Sequence, residues 1–277
     1  MGMRITTNVP SLNAQRSMTT NSRSMQKSMA QLSTGSRITN AGDDAAGLAI
    51  SENLKSQIRS FGQASRNAND GISMIQTAEQ GMGEVSNIIT RLRELGIQAS
   101  SDTIGETERG FIQKEVDAMK SEVQRVAEST SFGSRKLLDG TGGIYDIHVG
   151  TGSNEKTDWI SYDAAVSNVQ TDNLGIADLD FSSKEGSRAG LAALDTAQTT
   201  VSGSRATLGA MQNRLTSTID VIGTMNENMS AANSRIRDTD VAMSSSELAR
   251  NNVMLQGTTA TLAQANQLPQ MALKLIG

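Results

Sequence analysis

The feature that most constrains this chain is the absence of proline across long stretches of helical spacing. The 277 residues include two prolines, Pro10 and Pro269, one near each end. Proline breaks helix interiors, so the chain between these two positions carries no such interruption. Apolar residues meanwhile recur at intervals of three and four, the period of one helix face. The pattern predicts a mostly α-helical protein with very long helices.

The apolar spacing divides the chain into successive helices. It predicts a helix over residues 9–33 that stops at Gly35, and one long helix over residues 43–99. After the break "SSDTIGET", Thr107 is expected to cap a third helix whose apolar residues step like a coiled-coil seam. A second long helix is expected from about Gly186.

The last helix combines a regular apolar repeat with very little charge. Val241 begins a repeat of apolar residues at intervals of seven, and beyond Arg250 the one charged side chain is Lys274. A helix exposed to water usually carries charged residues on its solvent face. The scarcity of charge here indicates a segment that is surrounded by other copies of the chain. We therefore predict a polymerisation tail carried by Leu255, Leu262, Leu268 and Leu275.

Residues 131–185 have a different pattern. The runs "GIYDIHVG" and "DWISYDAA" alternate like strands, and "TGSNEKT" joins them, which predicts a β-hairpin. Helical segments of similar length lie on both sides of it. Their pairing predicts an extended antiparallel coiled-coil helical bundle with a small β-hairpin region and with the N- and C-terminal helices paired.

The sequence offers little for catalysis or metal binding. It has no cysteine, and its one histidine, His148, lies in a strand-like run. The segment "NAGDDAAG" lacks the lysine of a phosphate-binding loop, and Asn40, Asp43, Asp44 and Glu52 fall short of a calcium loop. We therefore predict no catalytic, cofactor-binding or metal-binding residues, no cofactor and no enzymatic activity.

The same segment, "STGSRITNAGDDAAGLAI", is better explained as a joint between two helices. Gly35 ends the first helix and Gly42 allows the chain to change direction. Asp43 and Asp44 favour the start of the next helix, where carboxylates meet its positive end. Arg37 is a candidate to pair with an acidic residue of a neighbouring copy.

No apolar run is long enough for a membrane span, and the start of the chain lacks the apolar core of a signal peptide. An arginine- and serine-rich start without acidic residues leaves an organelle transit peptide as a weaker alternative. We predict no membrane insertion and no nucleic-acid partner for a chain of net charge −4.

Four segments in order resemble bacterial flagellins, over essentially the full length of the chain. They are "LSTGSRITNAGDDAAGLAI", residues 63–100 ("QASRNANDGISMIQTAEQGMGEVSNIITRLRELGIQAS"), "SFGSRKLLDG" and "ANQLPQMALKLI". The resemblance implies a structural subunit that self-assembles into the flagellar filament used for swimming motility. Only about 20 to 30 residues, near 162–188, stand where many flagellins insert variable domains, so this is a minimal form.

The resemblance also implies a division into three regions. Residues 1–42 and 238–277 would form the inner tube, with a joint at about 33–45. Residues 43–130 and 186–237 would form the surrounding long-helix bundle, and residues 131–185 the hairpin region with a reduced variable segment.

The implied partners are those of a flagellar subunit. They are other flagellin copies, the flagellar cap, the junction proteins, an export chaperone and the type III export apparatus. The implied location is the extracellular filament, reached without a cleaved signal peptide. The segment "TRLRELGIQAS" also resembles the stretch that vertebrate Toll-like receptor 5 recognises, with Arg91, Leu95 and Glu115 at the matching positions. The same three residues are equally explained by packing and by an ion pair between helices.

Two other structural proteins fit parts of the pattern. The flagellar hook–filament junction protein shares the end helices, and a generic coiled-coil adaptor would share the apolar repeats. The matches at residues 63–100 and 265–276 favour flagellin over the first. An adaptor would form a closed oligomer, whereas head-to-tail contacts that do not close produce a fibre.

Overall fold

The computed structural model describes the backbone of residues 7–276 and the side chains of residues 7–267. It confirms the mostly helical class, the paired end helices and the small antiparallel strand region. The elements within the described residues are, in chain order, α1 (Val9–Thr34), α2 (Ala45–Ala99), α3 (Glu106–Ser129), β1 (Ser131–Phe132), β2 (Arg135–Lys136), β3 (Ile144–His148), α4 (Glu155–Asp158), β4 (Trp159–Asp163), α5 (Lys184–Arg237) and α6 (Val241–Ile276).

Helix α1 is bounded by residues whose chemistry suits its two ends. The Asn8 side chain accepts a hydrogen bond from the Ser11 amide at 3.2 Å, which satisfies one of the free N–H groups at the helix start. Pro10 lies in the first turn, where a missing N–H group is tolerated. Gly35 follows the last residue with a φ of 69°, a left-handed conformation that glycine adopts without strain. The predicted stop at Gly35 is confirmed.

Helix α3 begins at Glu106, so the prediction that Thr107 caps it is wrong. The residue before the helix is Gly105, and no side chain accepts a capping hydrogen bond there. Glu106 and Glu108 instead place carboxylates in the first turn, where the positive end of the helix favours them. The two carboxylates of the first turn therefore stabilise the start of the helix, which is the role that we predicted for the Thr107 hydroxyl.

The predicted β-hairpin is present, and a second, shorter one accompanies it. Strands β3 and β4 pair antiparallel, with Ile144 opposite Asp163 and His148 opposite Trp159. The helical turn α4 lies in the connection between them. Strands β1 and β2 also pair antiparallel, but with two residues each they are too short to show an alternating pattern in the sequence.

The chain separates into two compact units. The end-helix unit holds the chain up to Ser56 and from Asn228 onward, and the bundle unit holds residues 57–227. These boundaries follow contacts within one chain. The three regions predicted from the flagellin resemblance concern the assembled protein, and they stay a prediction.

The bundle unit contains the apolar core. Among its fully buried side chains are Ile75, Met82, Leu92, Val116, Phe181 and Leu194. Glycines let other parts of this unit approach its helices closely. A Cβ atom at Gly71 would lie 2.6 Å from Cδ1 of Ile147 in the hairpin, and one at Gly190 would lie 2.6 Å from the ring of Phe181. Because these glycines have no side chain, Ile147 and Phe181 pack directly against the helix backbones, and this holds the hairpin region against the helices of the bundle unit.

Candidate assembly surface

Helices α1 and α6 pack along one seam on each helix. One set of buried and half-buried residues on α1 is spaced by three and four, and so are those of α6; Ser22, Ala30 and Gln31 are also half-buried and lie outside the α1 set. The α1 seam comprises Ser11, Ala14, Met18, Asn21, Met25, Ser28 and Leu32, and the α6 seam comprises Ser244, Leu248, Asn251, Leu255, Thr258, Leu262 and Ala265. Asn8 donates to the carbonyl oxygen of Ala265 at 2.8 Å, and Ser11 donates to Asn266 Oδ1 at 2.9 Å. The start of α1 therefore meets the distal part of α6, and the two helices run antiparallel.

The seam between these helices is unusually polar at its most buried positions. The buried residues of α1 are Ser11, Asn21 and Ser28, and those among the described side chains of α6 are Ser244 and Ala265, so four of these five are polar. The Nδ2 atom of Asn21 has no hydrogen-bond partner among the described residues. Burial of apolar side chains is the main contribution to the stability of a helix pair in water. Because polar residues occupy most of the buried positions here, the seam gives this pair less stabilisation than an apolar seam would.

Large apolar side chains of the same two helices lie outside the seam. We call seven of them the end-helix surface: Val9, Leu12 and Met29 on α1, with Val241, Met243, Val253 and Met254 on α6. Each is between 44% and 68% exposed. Exposed apolar side chains that gather into a patch are a feature of surfaces that bind another protein, which makes this set a candidate.

The predicted polymerisation tail stays a prediction, and two of its four leucines lie in the seam of a single chain. Leu255 and Leu262 lie half-buried in the seam, on the side of α6 that packs against α1 of the same chain. The side chains of Leu268 and Leu275 lie outside the described residues. Apolar residues between the repeats, such as Val253, are exposed in the single chain, which the repeat alone does not reveal.

In the joint, Asp44 caps α2 and Asp43 does not. Asp44 accepts a hydrogen bond from the Gly47 amide at 2.8 Å, the geometry of a residue preceding a helix. Asp43 instead organises the turn before it, accepting from the Thr39 amide at 3.2 Å and from the Thr39 hydroxyl at 2.9 Å. It also pairs with Lys27 of α1 at 2.8 Å. The prediction that both aspartates start the helix is therefore right for Asp44 and wrong for Asp43.

The surroundings of Asp43 keep its carboxylate ionised. The hydrogen bond from Lys27 lowers the pKa of Asp43 most, and hydrogen bonds from Thr39 and Asn40 lower it further, so that it lies far below the ordinary value of 3.8. The result is a charged link between the turn at residues 39–43 and helix α1.

The two chain segments that leave the end helices are held side by side. The Arg37 amide donates to the carbonyl oxygen of Arg237 at 2.6 Å, and the Thr239 amide donates to that of Gly35 at 2.9 Å. The Arg37 guanidinium donates to the carbonyl oxygen of Ile236 at 2.8 Å, near the negative end of α5. Within this chain Arg37 therefore has a partner at a helix end, and its predicted pairing with a neighbouring copy stays a prediction.

Gly42 has a more modest role than we predicted. It is not among the glycines with positive φ in the described chain, and a Cβ atom placed on it would meet nothing within 4 Å. The change of direction is made by the turn that Asp43 organises. No left-handed conformation or close approach at position 42 calls for glycine.

The receptor-like residues divide into an exposed pair and a buried one. Arg91 on α2 donates through Nε and Nη2 to Glu115 Oε1 on α3, at 3.1 and 2.9 Å, and its Nη1 binds Glu94 at 2.9 Å. Glu94 and then Glu115 raise the pKa of Arg91 above its ordinary value. Leu95 is 1% exposed and packs in the core of the bundle unit, so its side chain offers no contact surface in this chain.

The described residues contain no group of three or more His, Cys, Asp or Glu side chains that could hold a metal ion. Over the same part of the chain, no helix combines the length and apolar character that crossing a bilayer requires. His148 lies in β3, as predicted, and its ring meets the ring of Trp159 edge to face at 6.1 Å.

Comparison with known proteins agrees with this picture. The N-terminal helical region of bacterial flagellin matches residues 5–142, and the C-terminal helical region matches residues 191–276. A flagellin of Halalkalibacterium halodurans is 42% identical over 274 residues, which span 99% of this chain and 100% of that one. The fold and these matches define a helical structural protein and not an enzyme. The chain belongs to the bacterial flagellin family, and it is a structural subunit of the flagellar filament.

Solved structures support the same assignment. The match to the crystal structure of Bacillus cereus flagellin has a TM-score of 0.51 and 28% identity, and it covers 61% of this chain and 94% of that one. A putative flagellar hook-associated protein from Vibrio parahaemolyticus matches with a TM-score of 0.59 over 71% of this chain and 100% of that one, at 14% identity. The second likeness shows a shared fold alone. The full-length identity to flagellin does not favour the junction-protein alternative.

Proposed function

We propose that the end-helix surface is where neighbouring copies of this chain bind each other in the filament. The observation that carries the proposal is the set of seven exposed apolar side chains on α1 and α6, beside a seam in which most of the buried side chains are polar. Burying a Val, Leu or Met side chain contributes about 1.5–3 kcal/mol, so a second copy would supply the burial that one chain lacks. The occupant is another copy because flagellins assemble into polymers.

Val253 gives the sharpest test, since it is 68% exposed and its replacement leaves the core of the single chain intact. A carboxylate at this position would be buried without a partner at a contact between copies. Val253→Asp should therefore raise the protein concentration needed for seeded filament growth by about tenfold or more. Sedimentation and electron microscopy of seeded samples measure this.

The matched control is Val166→Asp. Val166 is 66% exposed in the bundle unit, outside the end-helix surface, so the added charge is the same and the location differs. We expect this variant to assemble as the wild-type chain does. Assembly of Val253→Asp at the wild-type concentration would contradict the proposal.

The regions predicted from the resemblance belong to the same proposal. Residues 1–42 with 238–277 would line the inner tube, residues 43–130 with 186–237 the surrounding layer, and residues 131–185 the filament surface. The membership of the flagellin family supports this assignment.

We place the export route and the cellular partners in the proposal as well. The subunit would pass unfolded through the flagellar type III apparatus with an export chaperone, polymerise under the cap and join the hook through the junction proteins. The absence of cysteine suits this route, because a disulfide would obstruct threading. Disabling the export apparatus in the source bacterium should retain the protein inside the cell, measured by immunoblot of cells and medium. Undiminished protein in the medium would contradict the route.

A second proposed role is recognition of the monomer by vertebrate Toll-like receptor 5. Its support is the exposed Arg91–Glu115 pair, and the buried Leu95 is left out. Purified monomer should activate receptor-bearing reporter cells, and Arg91→Ala should reduce the response. Arg93→Ala is the matched control, because Arg91 and Arg93 are both 49% exposed on α2 and each forms an ion pair. Silence of the reporter with wild-type monomer would overturn this role.

A further inference from the structure

The methionines of this chain differ sharply in exposure according to where they lie. Met29, Met243 and Met254 of the end-helix surface are 54%, 63% and 44% exposed. Met74 and Met82 in the core of the bundle unit are 4% and 0% exposed. Three of the four methionines exposed among the described side chains thus lie on α1 and α6.

Two of the three lie at the same end of the helix pair. The hydrogen bond from the Thr239 amide to the Gly35 carbonyl oxygen, at 2.9 Å, joins the chain segments there. At 1.5 Å per residue, Met29 is about 8 Å along the helix from the end of α1 at Thr34, and Met243 is about 3 Å from the start of α6 at Val241. Met29 and Met243 therefore lie near the same end of the helix pair, and Met254 lies about 17 Å farther along α6.

Exposed thioethers react with hydroperoxides. The sulfur attacks one peroxide oxygen, the O–O bond breaks, and the products of hydrogen peroxide are methionine sulfoxide and one water molecule. Sulfur is oxidised by two electrons and the peroxide is reduced by two. The product replaces a flexible apolar group with a polar one, which is costly to bury without a hydrogen-bond partner.

We propose that Met29, Met243 and Met254 are an oxidation site at which hydroperoxides block assembly of the free subunit. This inference rests on the proposed role of the end-helix surface, since the sulfoxides act by occupying a contact that a second copy must cover. In the assembled filament that copy shields the same sulfurs. The free subunit is therefore sensitive to peroxide and the filament is resistant.

The test treats the full-length monomer with hydrogen peroxide, locates sulfoxides by peptide mass mapping and then seeds assembly. We expect sulfoxide at the three positions well before Met74 and Met82, and an increase of about tenfold in the concentration needed for growth. Sulfoxide at these positions should be enriched in the unassembled fraction, and a methionine sulfoxide reductase should restore assembly. Monomer oxidised at all three positions that assembles like untreated protein would overturn the inference.

Variants locate the effect. Each is compared with its own untreated sample, so that any change in basal assembly cancels. The triple variant M29L/M243L/M254L should lose the effect of peroxide, while M225L, which removes a 45% exposed methionine of α5, should keep it. Equal protection by M225L would place the sensitive site elsewhere and overturn the inference.

The outcomes also separate this inference from the proposed function. If Val253→Asp blocks assembly and peroxide does not, the assembly role of the end-helix surface is supported and the oxidation proposal is contradicted. If Val253→Asp assembles normally, the proposal that copies bind each other through the end-helix surface is contradicted.

Discussion

Asp44 supports the start of α2 through one hydrogen bond, from the Gly47 amide to its Oδ1 atom. Without an acceptor at this position, an amide of the first turn loses its partner. We expect Asp44→Ala to destabilise this turn by about 0.5–2 kcal/mol. Faster hydrogen exchange in the peptide over residues 44–50 measures it. Asp44→Asn keeps an acceptor and should retain the protection, and equal exchange in the two variants would contradict the capping role.

Asp43 makes the joint sensitive to acid. Its pKa in the folded chain is lowered by Lys27 first and by Thr39 and Asn40 next. A lowered pKa contributes stability that is present above the ordinary value of 3.8 and is lost as the pH falls toward the folded value. Asp43→Asn should therefore be less stable than wild type at neutral pH, and the difference should shrink as the pH falls below 3.8.

Thermal unfolding of both proteins across this pH range, followed by circular dichroism, measures the difference. Lys27→Gln removes the other partner of the ion pair. The double variant should lose less than the sum of the two single variants, because both remove the same interaction. A stability difference between wild type and Asp43→Asn that does not change with pH would contradict the link.

At the scale of residues, the sequence was sufficient where a role depends on near neighbours. Gly35 and Asp44 act through the helix that each adjoins, so their local pattern predicts their roles. Asp43 and Arg37 act through Lys27 and through the end of α5, which only the folded chain brings near. The burial of Leu95 could not be predicted for the same reason, because only the folded chain distinguishes it from the exposed Arg91 and Glu115.

At the scale of elements, the helices were largely predictable. Periodicity accumulates over many turns, so the bounds of α1, α2 and α5 lie within two residues of those predicted. The two-residue strands β1 and β2 and the single turn α4 are too short to carry a period. Helix α6 shows a different limit. Its repeat identifies a seam, but the identity of the partner, α1 or another copy, depends on the pairing of the chain ends.

Helix α6 can be tested by shortening it. Deletion of residues 251–277 removes Val253 and Met254 from the end-helix surface and much of the α6 seam. The core of residues 57–227 forms a separate compact unit and keeps all of its residues. We expect its urea unfolding transition to persist and filament growth from seeds to stop, measured by circular dichroism and by sedimentation. Normal filaments from the shortened chain would contradict the role of α6.

At the scale of the whole molecule, the sequence predicts the family better than it predicts the surface. Segments in order from residue 32 to residue 276 identified a flagellin, and the family comparisons confirm it. The side chains available to another copy could not be read in the same way, because Val253 and Leu255 look alike in sequence. The packing of α1 on α6 places one outside and the other in the seam.

The most direct measurement is a cryo-electron microscopy map of filaments of this chain that resolves side chains. The central claim is that copies bind through the end helices. We predict that Met243, Val253 and Met254 lie against a neighbouring copy and lose most of their exposure in the filament. A filament in which these side chains face solvent, with contacts made by the bundle units alone, would contradict the claim.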